Sequence, residues 1–217
     1  MPKDRSIPIT AIILAAGSSS RMGQSKQMLQ VSGEPLLRYV ARVTQESNVT
    51  HTLVVLGQHE RVHNRIIRDL RVSTCIHPQW EKGMGSSLKV GLEFVLKYYP
   101  EMQAIIALVG DQPLLTANHL NKLIDKYKTS KSPIVASAYN GILGVPALFD
   151  ASHFLALKAL DDAHGARQII EKHKSSAVAV DFPEGSVDLD TPEDYQSYQE
   201  RIATSGLLKT STPDVRT

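Results

Sequence analysis

The sequence predicts a three-layer α/β fold built around a mainly parallel (mixed) sheet. Short runs rich in Val, Ile, Leu and Ala recur along the chain. Most are continuously apolar rather than alternating, as in strands buried on both faces. Between them lie stretches with apolar residues at helical spacing. Strands that alternate with helices imply parallel pairing through crossover connections.

The strand-like runs are, in order, TAIILAA, HTLVVLG, VSTCIH, MQAIIALVG, SPIVASAY, VPALF and SAVAVDF. Three helical stretches stand out between them. EPLLRYVARVTQES puts Leu36, Tyr39, Val40 and Val43 on one stripe, and SSLKVGLEFVLKYY does the same with Leu88, Leu92, Val95 and Leu96. NHLNKLIDKYK brings Leu120, Leu123, Ile124 and Tyr127 together. Later in the chain, YNGILGVPALF holds two glycines and a proline and reads as a loop leading into a strand. Near the end, Thr191, Pro192 and Asp194 have the form of a helix start: cap, first helical residue and box partner.

With 217 residues, 42% of them hydrophobic, the chain can bury one continuous core. A single domain over residues 1–203 is expected, with a polar, disordered tail over 204–217. The net charge of +2 with 21% charged residues gives a mixed surface without the basic stripe of a nucleic-acid binder. The apolar run from Ile7 to Ala16 is too short to span a membrane, and no cleavage-site pattern precedes it. A cytoplasmic protein is expected. Cys75, the one cysteine, has no internal disulfide partner and reads as a small buried side chain.

In parallel sheets, ligands bind beyond the carboxyl ends of the strands. After the first strand come Gly17 to Lys26, after AIIALV come Gly110, Asp111, Gln112 and Pro113, and after AVAVDF come Asp188, Asp190, Thr191 and Pro192. Cations follow one strand and carboxylates follow two others. The first of these loops, GSSSRMGQSK, is neither a GxxxxGK[ST] phosphate loop nor a GxGxxG dinucleotide fingerprint. Gly17 to Gly23 is one residue too long for the former, and Ser19 breaks the latter. Its ingredients still suit phosphate: flexible glycines, the hydroxyls of Ser18, Ser19 and Ser20, and permanent charge on Arg21 and Lys26. The competing reading is a polar βα turn with two solvated cations. Asp111 can equally cap a turn before Pro113. The helix-start pattern accounts for Thr191, Pro192 and Asp194 but not for Asp188 or Asp190. Two carboxylates from separate strand ends can together hold a hard divalent cation such as Mg²⁺, completed by water and substrate phosphates.

With these residues assembled, LAAGSSSRMGQSKQML resembles the LAAGxSxRMGxxKxLL signature of the MobA-like nucleotidyltransferases. GMGSSLKVGL, GDQPLL, YNGILGVPALF and VDLDTPEDY follow in the expected order, and the set is most similar to the molybdenum cofactor cytidylyltransferase branch. The resemblance covers nearly the whole chain except its ends. It implies a Rossmann-like nucleotidyltransferase fold that transfers CMP from CTP to the phosphate of molybdopterin and releases pyrophosphate, with Mg²⁺ as cofactor. It further implies that Arg21, Lys26 and Asp111 are catalytic and that Asp111 and Asp190 bind the metal. Leu14, Ala15, Ala16, Gly17, Ser18, Ser19, Arg21 and Lys26 would bind the nucleotide, with Gly83, Gly85, Ser86 and Ser87 near its base and ribose. Gln112, Tyr139, Asn140, Gly141, Gly144 and Pro146 would form the acceptor side. A molybdoenzyme or its chaperone would receive the product.

Guanylyl-transferring relatives usually read LAGG, so Ala16 favours CTP, with the hypothesis that its methyl narrows the space for a purine. One departure concerns the acceptor: the branch commonly reads GDxGAR, whereas here Asp162, Ala163 and His164 precede Gly165, Ala166 and Arg167.

Other readings compete. HERVH, His59 to His63, matches HExxH, which on a helix could hold zinc with Glu60 as base, but no third ligand follows at the right spacing. Trp80 reads as a packing residue and His164 as a solvated loop histidine. A guanylyl- or other nucleoside triphosphate-dependent transferase with a different phosphorylated acceptor is one alternative function, and a non-catalytic cofactor holder is another.

Overall fold

The structure, a computed structural model, describes residues 7–17 and 24–204. Ser18, Ser19, Ser20 and Arg21 of the candidate phosphate loop lie outside the described residues, as do residues 205–217 of the expected tail, whose first residue, Thr204, ends a helix instead. The strands are β1 (Ile9–Ala15), β2 (Gln30–Val31), β3 (Glu34–Pro35), β4 (His51–Leu56), β5 (Ser73–Ile76), β6 (Ala104–Val109), β7 (Ile134–Tyr139), β8 (Ile142–Asp150) and β9 (Val178–Asp181). The α-helices are α1 (Leu36–Glu46), α2 (Glu60–Ile67), α3 (Met84–Tyr98), α4 (Ala117–Ser130), α5 (Phe154–Lys158), α6 (Arg167–Lys172) and α7 (Pro192–Thr204).

The main sheet has the order β5-β4-β1-β6-β8-β7-β9. β1 pairs in parallel with both β4 and β6, and β4 with β5. β8 runs antiparallel to both its neighbours, β6 and β7, and β9 returns to parallel pairing with β7. The sheet is therefore mixed. Its apolar runs bury both faces. Ile9, Ala11, Ile13 and Ala15 of β1 pack with Leu37 and Val40 of α1, Leu120 and Ile124 of α4, and Ile202 of α7. Ile12, one residue out of phase, packs on the other face with Leu88, Leu92 and Val95 of α3 and with Phe154 and Ile170 from α5 and α6. This is the three-layer arrangement expected, because side chains on a strand alternate between faces.

One local signal of the sequence is realised. Thr191 Oγ1 accepts from the Asp194 backbone N–H at 3.2 Å while Asp194 Oδ2 accepts from the Thr191 N–H at 2.8 Å. That reciprocal pair starts α7. The Thr116 side chain accepts from His119 N–H at the start of α4.

YNGILGVPALF corrects the reading of a loop before a strand. Ile142 is already paired with Tyr139, so the connection is a two-residue turn made by Asn140 and Gly141. Both have positive φ, 48° and 75°. Asn-Gly is the favoured pair for such a hairpin because both central residues need this left-handed backbone. The glycine at 144 belongs to β8. A Cβ there would fall 2.2 Å from the Tyr139 hydroxyl oxygen, so the tyrosine occupies the space of a side chain. Between Ala136 and Ser137 the register shifts, leaving Val145 and Pro146 out of the regular ladder.

No helix among the described residues is long and apolar enough to cross a membrane.

Candidate active site

The chain runs from β1 to β4 and β5 on one side, then returns to place β6 on the other side of β1. The carboxyl ends of β1 and β6 therefore flank a switch point, where open α/β sheets bind ligands. The Gly110 N–H donates to the Leu14 carbonyl at 2.9 Å and ties the two strand ends together.

Lys26 begins a short 3-10 turn, Lys26–Met28, closed by Met28 N–H to the Ser25 carbonyl and Leu29 N–H to the Lys26 carbonyl, both 3.0 Å. Gln27 and Leu29 are buried and anchor the turn. Lys26 Nζ then reaches Asp111 Oδ2 at 3.2 Å and hydrogen-bonds Asp190 as well. Asp111 follows β6, and Asp190 is held just ahead of the capped α7. Residues 85 and 164 positions from Lys26 are thus joined at one point.

The charge balance is uneven. Burial would lower the Lys26 pKa, but the Asp111 charge and the hydrogen bond and charge of Asp190 outweigh it, so the ammonium is held above its ordinary value. Asp188, though solvent-exposed, is pushed up to about 6, first by desolvation from the surrounding protein and then by the charges of Asp111 and Asp190, with Lys26 opposing. Among the described residues, Asp111, Asp188 and Asp190 all act on the Lys26 ammonium. Asp111 Oδ1 is buried with no hydrogen-bond partner among the described residues. Its unmet acceptor, beside the Asp188 and Asp190 carboxylates, fits a divalent cation. No group of three protein ligands capable of holding a metal occurs among the described residues. A site of two carboxylates completed by water and substrate phosphate is the usual magnesium pattern.

Around this centre, Leu14 is half-buried, Ala15 and Ala16 are buried, and Gly17 is exposed with open space where a side chain would be. A Cβ on Gly57 would meet the Ala16 carbonyl oxygen at 2.3 Å and the Ala16 methyl at 2.8 Å. That methyl therefore lies against the end of β4.

Gly83, Gly85, Ser86 and Ser87 form the entry to α3. The Ser86 hydroxyl donates to the Gly83 carbonyl at 2.7 Å and sits 2.8 Å from His77 Nε2. Ser87 Oγ also points at the Gly83 carbonyl, at 3.4 Å. Both serines are buried. A Cβ on Gly85 would be 2.1 Å from the Asp161 carbonyl and 2.3 Å from that of His164, so this entry packs directly on the DDAHGAR loop. Within that loop Asp162 pairs with Lys89 of α3 at 2.5 Å, and Lys89 also donates to the Leu160 carbonyl. Ala163 stands where the resemblance would place an aspartate.

The residues expected on the acceptor side converge on the irregular part of β8. Gln112 Nε2 donates to the Val145 carbonyl at 3.2 Å, and the Tyr139 hydroxyl donates to the same carbonyl at 3.2 Å. Ser137 Oγ donates to the Pro146 carbonyl at 2.6 Å and lies 2.7 Å from His119 Nε2. Three side chains thereby fix the strand where its ladder is broken, with Gly144 and Pro146 beside it. Asn140 and Gly141 stand exposed at the hairpin tip.

His119 is buried and stacks on Phe182 with ring centroids 4.0 Å apart. Burial, with a smaller push from Lys122, lowers its pKa to about 4. The native state then binds fewer protons than the unfolded chain between about pH 6.5 and 4, so stability falls as pH drops through that window and is unaffected above it. A shift of this size corresponds to about 3 kcal/mol once both states are protonated. Urea unfolding at pH 7.5 and pH 4.5 should show the loss, and His119→Gln should flatten it. Equal pH slopes for the two proteins would contradict this account.

HERVH resolves differently from its motif. α2 begins at Glu60, and the ring of His59 lies edge-on to His63 at 5.7 Å. His63 is buried, not on a surface face, and its Nε2 is 2.7 Å from Ser25 Oγ. Sequence reasoning gave neither Ser25 nor His63 a part in the site. Cys75 is half-buried and burial pushes its thiol up to about 11. Trp80 is half-buried in a 3-10 turn ahead of Gly83.

The chain is similar to the purine catabolism protein PucB of Bacillus subtilis (strain 168), with 29% identity over 92% of this chain and 100% of that protein. It is also similar to the molybdenum cofactor cytidylyltransferase of Escherichia coli (strain K12), with 25% identity over 89% of this chain and 96% of the relative. The crystal structure of Rv0371c from Mycobacterium tuberculosis H37Rv superimposes with a TM-score of 0.75 at 25% identity, covering 89% of this chain and 98% of that one. The MobA-like NTP transferase domain model matches residues 11–178, from within β1 to the start of β9 and so across the strand ends that carry Lys26 and Asp111. The chain belongs to the MobA-like NTP transferase domain family and is a nucleotidyltransferase by that membership.

Proposed function

We propose that the protein transfers CMP from CTP to the phosphate of molybdopterin, with release of pyrophosphate. The observation that carries the proposal is Lys26 held between Asp111 and Asp190 beyond the carboxyl ends of the central strands. Similarity to the E. coli molybdenum cofactor cytidylyltransferase supports the choice of nucleotide and acceptor.

The nucleophile in such a transfer is a phosphate oxygen, largely ionised near neutral pH. No strong general base is needed, and the chain's task is alignment and charge neutralisation. Lys26 would lie against the triphosphate and meet the negative charge that grows on the departing pyrophosphate. Arg21, outside the described residues, would share that task. Asp111 and Asp190 would hold the divalent cation, Mg²⁺, which supplies neutralisation of phosphate charge when bound. The backbone from Leu14 to Gly17, continued by Ser18 and Ser19, would approach the phosphates. Gly83 and Gly85 would line the base and ribose through their backbone, because the Ser86 and Ser87 hydroxyls are engaged with the Gly83 carbonyl. Gln112 and Tyr139 would set the acceptor wall, with Asn140, Gly141, Gly144 and Pro146 along it. A molybdoenzyme or its chaperone would take the product.

Ala16 would act on base choice through the spacing of β1 and β4, because its methyl is packed towards Gly57. A second reading keeps the reaction and changes the acceptor to another phosphorylated molecule. It is favoured by the pairing of Asp162 with Lys89 and by Ala163 in the usual aspartate position.

Comparing turnover of CTP and GTP with molybdopterin as acceptor tests the proposal. CTP is expected to be preferred by about tenfold or more, a difference of about 1.4 kcal/mol in the barrier. A clear preference for GTP would overturn the cytidylyl assignment. Turnover of CTP only with a different phosphorylated acceptor would favour the second reading.

A further inference from the structure

Ser25 immediately precedes Lys26. Its hydroxyl donates to Gln27 Oε1 at 3.0 Å, and the same oxygen lies 2.7 Å from His63 Nε2. A serine hydroxyl has one proton. With that proton directed to Gln27, the bond from His63 runs the other way: Nε2 carries the hydrogen and donates to Ser25. The remaining ring nitrogen, Nδ1, is buried and has no partner among the described residues. The His63 ring is 1% exposed.

This is a costly way to fill a volume. A buried polar atom without a partner carries a desolvation cost that an apolar side chain would avoid. The imidazole makes one directed contact for that cost, across 38 residues, to the residue that precedes Lys26. Zinc does not account for it, because Nε2 is committed to Ser25 and the described residues offer no third ligand.

We propose that His63 is a positioning residue for Lys26: its Nε2–H holds Ser25, which fixes the 3-10 turn that aims the lysine between Asp111 and Asp190. The inference rests on the triphosphate role given to Lys26 above. α2 thereby serves as a brace behind the turn that carries Lys26, and the HERVH stretch has a task unrelated to the metal its pattern suggests. Burial and the neighbouring His59 hold the His63 pKa down at about 4, so the ring stays neutral and the contact persists across the neutral range.

The test is equilibrium titration of CTP with Mg²⁺ into the full chain and into Lys26→Ala, His63→Ala, His63→Gln, Ser25→Ala and the double variant His63→Ala/Ser25→Ala, with a thermal midpoint for each. His63→Ala and Ser25→Ala should each bind CTP about tenfold more weakly, the worth of one hydrogen bond. Glutamine, whose amide nitrogen can reach about the position of Nε2, should restore binding to within about threefold. The double variant should be no weaker than either single one, because both remove the same contact. A merely structural histidine would lower the midpoint without this pattern. Should His63→Ala fail to fold, Ser25→Ala carries the same expectation, since it removes a single hydroxyl. Binding lost in Lys26→Ala but within about twofold of normal in Ser25→Ala and any folded His63→Ala would overturn this inference alone. Additive losses in the double variant, or no recovery with glutamine, would also overturn it. A folded wild-type chain that binds no nucleoside triphosphate would overturn both this inference and the reading on which it rests.

Discussion

Asp111→Ala is expected to reduce pyrophosphate release by about three orders of magnitude or more, the scale on which transition-state charge stabilisation acts. The Asp111 carboxylate faces Lys26 through Oδ2 and keeps a second, buried oxygen without a partner among the described residues. Alanine removes both. The fold should persist. The Lys26–Asp111 pair is partly solvated, with side-chain exposures of 15% and 24%, and such pairs contribute about 1 kcal/mol or less to stability. Far-ultraviolet circular dichroism and a thermal midpoint would establish that the variant is folded. Activity that survives the change in excess Mg²⁺ would contradict the metal assignment of Asp111.

Lys26→Ala is expected to lower kcat/KM for the triphosphate by about two to three orders of magnitude. The KM for the acceptor should change little, because the proposed acceptor wall lies at Val145 and Pro146, whose carbonyls are held by Gln112, Ser137 and Tyr139 and not by Lys26. The cause is electrostatic. Without the ammonium, Asp111, Asp188 and Asp190 face an incoming polyanion with no lysine between them. Lys26→Arg should recover only part of the loss, since a planar guanidinium does not substitute for a compact ammonium in a pocket bounded by two carboxylates. Steady-state kinetics with each substrate varied in turn checks the prediction. Equal losses towards triphosphate and acceptor would argue against a phosphate role for Lys26.

Much of this site can be read from the sequence because strands buried on both faces advertise themselves. TAIILAA and MQAIIALVG are unbroken apolar runs and become β1 and β6, the two strands whose ends carry the loop to Lys26 and Asp111. Helical periodicity locates α1, α3 and α4, where one stripe faces the sheet. The start of α7 is legible from Thr191 and Asp194 alone, since a capping box is a local interaction.

What escapes is what depends on distant partners. Ile142 and Gly144 read as loop residues, yet they lie in a strand. Glycine is admitted there because the Tyr139 ring takes the place of its side chain, and the ladder shifts register where Pro146 falls. The direction of β8 is hidden for the same reason. The Gln30–Pro35 hairpin is too short to show a period of two. Ser86 and Ser87 are expected near base and ribose, and the sequence does not reveal that their hydroxyls turn onto the Gly83 carbonyl. The HERVH pattern offers His63 only a zinc role that lacks a third ligand, and its partner in the fold, Ser25, sits on another element. Asp188 is the intermediate case: the helix-start pattern leaves it unexplained, and the structure finds it solvent-exposed but within electrostatic reach of Asp111 and Asp190.

The central claim, that this strand-end cluster of one lysine and its carboxylates transfers a nucleotidyl group, is tested most directly by following the α-phosphate. CTP labelled at that position should be incubated with the full chain, Mg²⁺ and molybdopterin. The account predicts that label appears on the pterin, mole for mole with unlabelled pyrophosphate, and that omitting the acceptor stops both. Release of phosphate or pyrophosphate with no label transferred to any phosphorylated acceptor would contradict it.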